Sequence, residues 1–164
     1  MTDLDTPVVV VVPGDLHLTD PELENTRVAH WMIDEVNKLI RPDFVQFIGD
    51  NVQDATEAQF RLFDEIRSRL DVPGFVLVGD LHVKEDPAAT RFRLHVGEPH
   101  GALLLRGFRF IRLNTQVARQ VSLSEEQIAW FRGDVDAALA DGRQVVIFLN
   151  AAGRLSGIPQ PNGA

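Results

Sequence analysis

Residues 8–12 are five valines in a row, and Pro13, Gly14 and Asp15 follow them. β-Branched side chains pack well on a pleated surface, so the run reads as a strand over residues 7–12. No polar residue alternates with the valines, which fits a strand covered on both faces, as in a parallel sheet. Pro21 then opens a helix over 22–40, with Val28, Trp31, Met32, Val36, Leu39 and Ile40 in three-and-four spacing on its inner face. The alternation continues. Residues 43–48 read as a second strand, and 55–70 as a second helix with Phe60, Phe63, Ile66 and Leu70 facing inward. Residues 75–78 form a third strand. Residues 84–100 have weak periodicity and read as loop plus a short helix. The stretches 102–105 and 108–113 read as a hairpin joined at Arg106-Gly107. Ser124 and Gln127 mark a capping box for a helix that stops at Asp141-Gly142, and 144–149 is the last strand. The tail, 150–164, has three glycines, two prolines and no periodicity. Strand and helix alternation predicts an α/β fold, a largely parallel sheet flanked by helices, in one domain over residues 1–164.

Apolar residues make up 45% of 164, enough for a core without staples. Cysteine is absent, which excludes a disulfide scaffold, a zinc-thiolate site and a thiol nucleophile. No apolar run reaches membrane-spanning length, and the acidic start, Met1-Thr2-Asp3-Leu4-Asp5, is unlike a signal peptide. The expectation is a cytoplasmic chain with no membrane association. A net charge of −8 disfavours general nucleic-acid binding but is compatible with a small anionic substrate held through metal.

In open α/β sheets ligands sit beyond the carboxyl ends of the strands. Those ends read Gly14-Asp15-Leu16-His17, Gly49-Asp50-Asn51, Gly79-Asp80-Leu81-His82 and Asn150. Three Asp, two His and, from the last strand, Asn150 are thereby delivered to one edge. Each Asp follows a Gly, which lets the chain turn sharply. Carboxylates gathered at one edge repel each other unless protons or cations intervene. Oxygen and imidazole donors together suit manganese, iron or zinc. Asp50, central among these ends, is placed to bridge two such ions. A single Gly-Asp is more often a turn or helix cap. Three at successive strand ends, two of them followed by His two residues on, are harder to read that way.

Asp15-Leu16-His17 and Gly49-Asp50 resemble the first two motifs of the calcineurin-like metallophosphoesterases, Asp-x-His and Gly-Asp. The intervals of 35 residues from Asp15 to Asp50 and 30 more to Asp80 fit that family. Residues 123–131 and the following strand resemble the segment that leads to its late His. The resemblance covers about 150 residues and implies the first part of a metallophosphoesterase β-sandwich, incomplete at its C-terminus. It also implies one or two divalent ions and hydrolysis of a phosphomonoester or phosphodiester. By the same resemblance Asp15, His17 and Asp50 hold the first ion, while Asp80 and Asn150 hold the second. His82 is the candidate for the catalytic histidine.

The pattern departs from the family at three places. Gly79-Asp80-Leu81-His82 stands where the family has Gly-Asn-His-Asp/Glu, Asn150 stands where it has His, and its Gly-His-x-His is absent. Leu81 can neither donate a proton nor bind phosphate. These departures favour a second reading, a non-catalytic relative with the same fold. A remote third, a phosphoacceptor receiver domain with Asp50 as acceptor, needs a lysine at the end of a late strand, where Asn150 stands. A sandwich cut short exposes apolar surface, so a homodimer is expected. Other residues read as structural. His30, His95 and His100 are taken as surface or boundary residues, Trp31 and Trp130 as helix core, and Asp54 as a helix cap. The arginines at 91, 93, 106, 109 and 112 serve surface pairing or phosphate binding.

Overall fold

The computed structural model describes residues 6–84, 86–117 and 120–151, so the tail reading beyond 151 lies outside the described residues. Strands β1 (Val10–Val11), β2 (Phe44–Phe47) and β3 (Gly74–Val76) form one sheet, all parallel, in the order β1-β2-β3. Val10 stands opposite Phe44, and Val45 opposite Gly74. Helix α1 (Glu24–Glu35) links β1 to β2, and α2 (Glu57–Ser68) links β2 to β3. The parallel α/β arrangement read from the sequence is therefore present.

The later strands do not extend this sheet. After two short helices, α3 (Asp80–Val83) and α4 (Thr90–His95), come β4 (Gly101–Leu105) and β5 (Phe108–Arg112). These two form the expected hairpin. A small ribbon follows, β6 (Gln116–Val117) with β7 (Gln120–Val121). Then come α5 (Glu125–Ala140) and β8 (Gln144–Phe148), which pairs in parallel with β5. The second sheet has the order β4-β5-β8. Its assembly is set by aromatic rings at alternate positions. On one face of β2, Val45 and Phe47 enter a core with Ala29, Ile33 and Val36 from the first crossover and Phe60, Phe63 and Ile66 from α2. On the opposite face Phe44 meets Phe75, Phe110 and Phe148 edge-on, with the Phe110 centroid at 5.0 Å. Phe110 and Phe148 belong to the second sheet. Each buried ring contributes about 1.5–3 kcal/mol. Beyond that sheet, Arg109 of β5 forks onto Asp134 of α5 at 2.8 and 2.5 Å. The layers run helix, sheet, sheet, helix.

The valine run differs from its reading. It has one neighbour, β2, and only two residues in register. Val9 and Val12 are about half exposed, at 48% and 47%. It is an edge strand rather than a strand covered on both faces. The inner face of α1 also differs. Thr26, Ala29 and Ile33 are buried, while Val28, Trp31 and Leu39 are 51%, 63% and 75% exposed. The small Ala29 lets the helix lie close on the sheet, and Thr26 Oγ1 donates to the Asp20 carbonyl at 2.7 Å. A π-helical turn over Val36–Ile40 then shifts the pattern by a residue and ends at Arg41, which has a left-handed φ of 49°. Trp31→Ser is accordingly expected to change stability by no more than about 0.5 kcal/mol in chemical denaturation, against ~3–5 kcal/mol for a tryptophan truncated in a core.

The helix starts follow their sequence signals. Thr56 Oγ1 accepts from Gln59 N at 3.3 Å, and Ser124 Oγ from Gln127 N at 3.2 Å. Asp54 is not the cap of α2; it exchanges hydrogen bonds with the Gln59 side chain instead. The Gln127 side chain does not close the capping box. It accepts from Asn114 N and donates to Asn114 O, both at 2.8 Å, which ties the end of β5 to the start of α5. Among the described residues no helix is long and apolar enough to cross a membrane.

Candidate functional site

The loops after β1 and β2 lie side by side. Asp15 N–H donates to Gly49 O at 3.1 Å, His17 N–H to Asp50 O at 3.0 Å, and Leu18 N–H to Asn51 O at 2.9 Å. From α1, Asn25 Nδ2 donates to the carbonyls of Leu16 and His17, at 3.1 and 2.7 Å. Asp15, His17 and Asp50 all hold left-handed backbone, with φ of 55°, 47° and 50°. Non-glycine residues in that region are strained and cluster at functional sites. The local fold thus spends strain on the residues that the strand ends singled out.

His17 is oriented by a residue that carries no motif. Its Nδ1 lies 3.0 Å from Gln53 Oε1, an acceptor, so the neutral ring carries its proton on Nδ1. Nε2 is left with its lone pair free and stands 3.7 Å from Asp15 Oδ1. Holding the far nitrogen of an imidazole in this way is how metal-binding histidines are aimed. Both side chains face solvent, Asp15 at 70% and His17 at 42% exposure.

Asp50 sits deeper. Its carboxyl is raised above the usual carboxylate range by burial first, then by the neighbouring charges of Asp80 and Asp15, while Leu81 N–H donating to Oδ1 at 3.2 Å partly offsets this. Burial is a larger cause than the repulsion among carboxylates that the strand ends suggested. Gly79 makes the approach possible. A Cβ there would lie 2.0 Å from Asp50 Oδ1 and 2.5 Å from Asp50 N. Asn51, next in line, is fully buried, and neither atom of its side-chain amide has a partner among the described residues.

Asp80 opens α3 beside Asp50. Leu81 follows, and His82 turns inward. Its ring is 1% exposed, packed against Phe60 and Phe92. The Asn51 and Gly79 amides stand 3.1 Å from Nε2 and 3.0 Å from Nδ1, and the neutral ring accepts from one of them. Burial pushes its pKa down to about 4. A proton donor for a leaving group has to reach the open edge, and His82 does not; it braces two loops. Asn150 is also engaged. Its Nδ2 donates to Ile48 O at 2.7 Å and its Oδ1 accepts from Gln116 at 3.4 Å, so it clamps β8 to the end of β2. His95, read as exposed, is instead only 13% exposed, stacks on Phe60 and pairs with Glu57 at 2.9 Å. His100 stands edge-on to Trp130 at 5.0 Å.

Among the described residues no three His, Asp or Glu side chains stand close enough to hold a metal ion as they are placed. The donor chemistry fits one cation nevertheless. The paired loops carry an imidazole nitrogen, an exposed carboxylate 3.7 Å from it and a half-buried carboxylate with a raised pKa. Of the residues read for a second cation, Asp80 stands beside Asp50, Asn150 donates through Nδ2 to Ile48 O, and Leu81 offers no donor atom. Beside Asp80 lies a cavity of about 360 Å³ lined by Asp80, Leu81, Val83, Lys84 and Gln116. Gln53, Lys84 and Gln116 were not legible as functional residues, since none belongs to a periodic or spaced pattern.

No family model matches the chain, and no curated protein matches it. Solved structures do share its fold. A dimetal phosphatase from Danio rerio aligns with a TM-score of 0.64 at 12% identity, over 87% of this chain and 69% of that one. The purple acid phosphatase PPD1 from seeds of yellow lupin, Lupinus luteus, aligns with a TM-score of 0.55 at 13% identity, over 78% of this chain and 27% of that one. At such identities the likeness is one of fold, and the fold is that of the metallophosphoesterases.

Proposed function

We propose that the chain is a metal-dependent phosphoesterase of low turnover, with one divalent cation held by Asp15, His17 and Asp50. The observation that carries this reading is the pairing of the Asp15–His17 and Gly49–Asp50 loops in left-handed backbone, with Gln53 aiming the imidazole. A cation there supplies Lewis acidity toward a phosphoryl oxygen. The chain's own residues do the positioning. Gln53 and Asn25 hold the first loop, Gly79 admits Asp50, and Asp80 adds a carboxylate at the rim. Leu81 supplies no proton to the leaving group, an omission worth about 10²–10⁴ in rate. The burial of His82 leaves that place unfilled. This same observation favours the second reading, a relative that keeps the ion and has no turnover.

The test is calorimetric titration with Mn²⁺ of the wild type and Asp50→Asn, beside hydrolysis of an aryl phosphodiester with a chelator control. One equivalent bound by the wild type, weakened at least tenfold by Asp50→Asn, is the expected result, with slow chelator-sensitive hydrolysis. No Mn²⁺ uptake by the wild type refutes the site. Binding without hydrolysis selects the second reading.

A further inference from the structure

We propose that Lys84, with Gln116 opposite, seats the phosphate group of the ester in the cavity beside Asp80. Its charge there adds to that of the single cation proposed above. This rests on the phosphoesterase reading above. A phosphate ester brought to this edge meets Asp15, Asp50 and Asp80, and one divalent ion does not balance three carboxylates and a phosphate. Further positive charge has to come from the protein. Of the chain's two lysines, Lys38 and Lys84, and its fourteen arginines, Lys84 alone is in the lining of the cavity beside Asp80. Lys38 pairs with Asp34 on the far side of α1. Lys84 lines the cavity itself, together with Asp80 and Gln116.

Among the described residues Lys84 is also lightly held. Its ion pair with Asp54 is long, 3.8 Å, beyond hydrogen-bond distance, and the side chain is half exposed. Asp54 has another partner in Gln59 Nε2, at 3.2 Å. Lys84 therefore gives up little by turning to an oxyanion. Gln116 is buried, and its Nε2 makes one weak bond, 3.4 Å to Asn150 Oδ1, so an N–H remains for a phosphate oxygen. An ammonium on a flexible stem and an amide N–H across a cavity are suited to a tetrahedral oxyanion, a phosphate monoester or inorganic phosphate.

The probe is inorganic phosphate, titrated calorimetrically into the wild type, Lys84→Met, Lys84→Arg and the control Lys38→Met, with Mn²⁺ titrated separately into each. Circular dichroism checks that each variant is folded. The expected result is that Lys84→Met weakens phosphate binding tenfold or more. Lys84→Arg should stay within threefold and Lys38→Met should be unchanged. Mn²⁺ affinity should stay within twofold throughout. Wild-type phosphate affinity retained by Lys84→Met overturns the proposal, and so does a wild type that binds no phosphate. In either case intact Mn²⁺ binding leaves the metal-site reading standing, while loss of Mn²⁺ binding in the wild type tells against that reading instead.

Discussion

His82→Ala is expected to cost about 3–5 kcal/mol of stability, because it removes a fully buried ring and leaves the amides of Asn51 and Gly79 facing a void. The same residue makes the fold acid-labile. In the unfolded chain His82 takes up its proton below about pH 6.5; in the folded chain, only below about 4. Between those values the unfolded state binds more protons. Stability therefore rises with pH across the window and is lost on acidification, by about 3 kcal/mol in all. Asp50 acts in the opposite sense. Its pKa is raised in the fold, so its contribution is present at low pH and fades as pH rises through the folded value. The His82 effect is the larger, since that ring is the more deeply buried. Urea midpoints at pH 7, 5.5 and 4.5 check this. The wild type should lose stability down the series, and His82→Gln, which does not titrate, should lose less. A wild-type midpoint that is constant over that range would show that His82 is not the controlling group.

Gly79→Ala should be as severe, about 3 kcal/mol or more, and should also displace Asp50. The added methyl would fall 2.0 Å from Asp50 Oδ1 and 2.7 Å from its Cγ. The side chain could turn aside, but the Asp50 backbone nitrogen at 2.5 Å could not. Two strand-end loops must separate for one methyl group. Mn²⁺ binding should fall together with thermal stability in this variant, whereas Asp50→Asn should lose the ion while keeping the fold. A Gly79→Ala protein that unfolds at the wild-type temperature would mean that the loops are not packed as described.

The strand ends were legible because a Gly-Asp after an apolar run is a local signal, and three of them occur at regular intervals. The parallel order of the first three strands followed from the helices between them. The partition into two sheets was not legible. Phe108, Phe110 and Phe148 read as strand residues, but nothing local says that their rings will meet Phe44 across a sheet interface. The face of α1 was misread because two apolar stripes compete, and the choice between them is made by Ala29 fitting close to the sheet. His82 was taken for a functional group because its motif resembles the family's; its inward turn is set by Phe60, Phe92 and the backbone amides of Asn51 and Gly79, which only tertiary packing brings together. Asn150 was read as a ligand on its place at a strand end. There its Nδ2 donates to the Ile48 carbonyl, while Oδ1 has a 3.4 Å contact with Gln116.

That Ile48–Asn150 bond joins positions 102 residues apart. Apart from Gln116, everything else described at the edge comes from residues 14–84, where contacts are nearly local and loop closure is cheap. During synthesis the β1-α1-β2-α2-β3 unit can collapse while the ribosome is still extending the chain. The edge itself stays ajar until β8 has emerged, found β5 and carried Asn150 across to the end of β2. The region that gathers three carboxylates is thus closed by the last-made part of the described chain, and a nascent protein acquires its fold before it acquires its site.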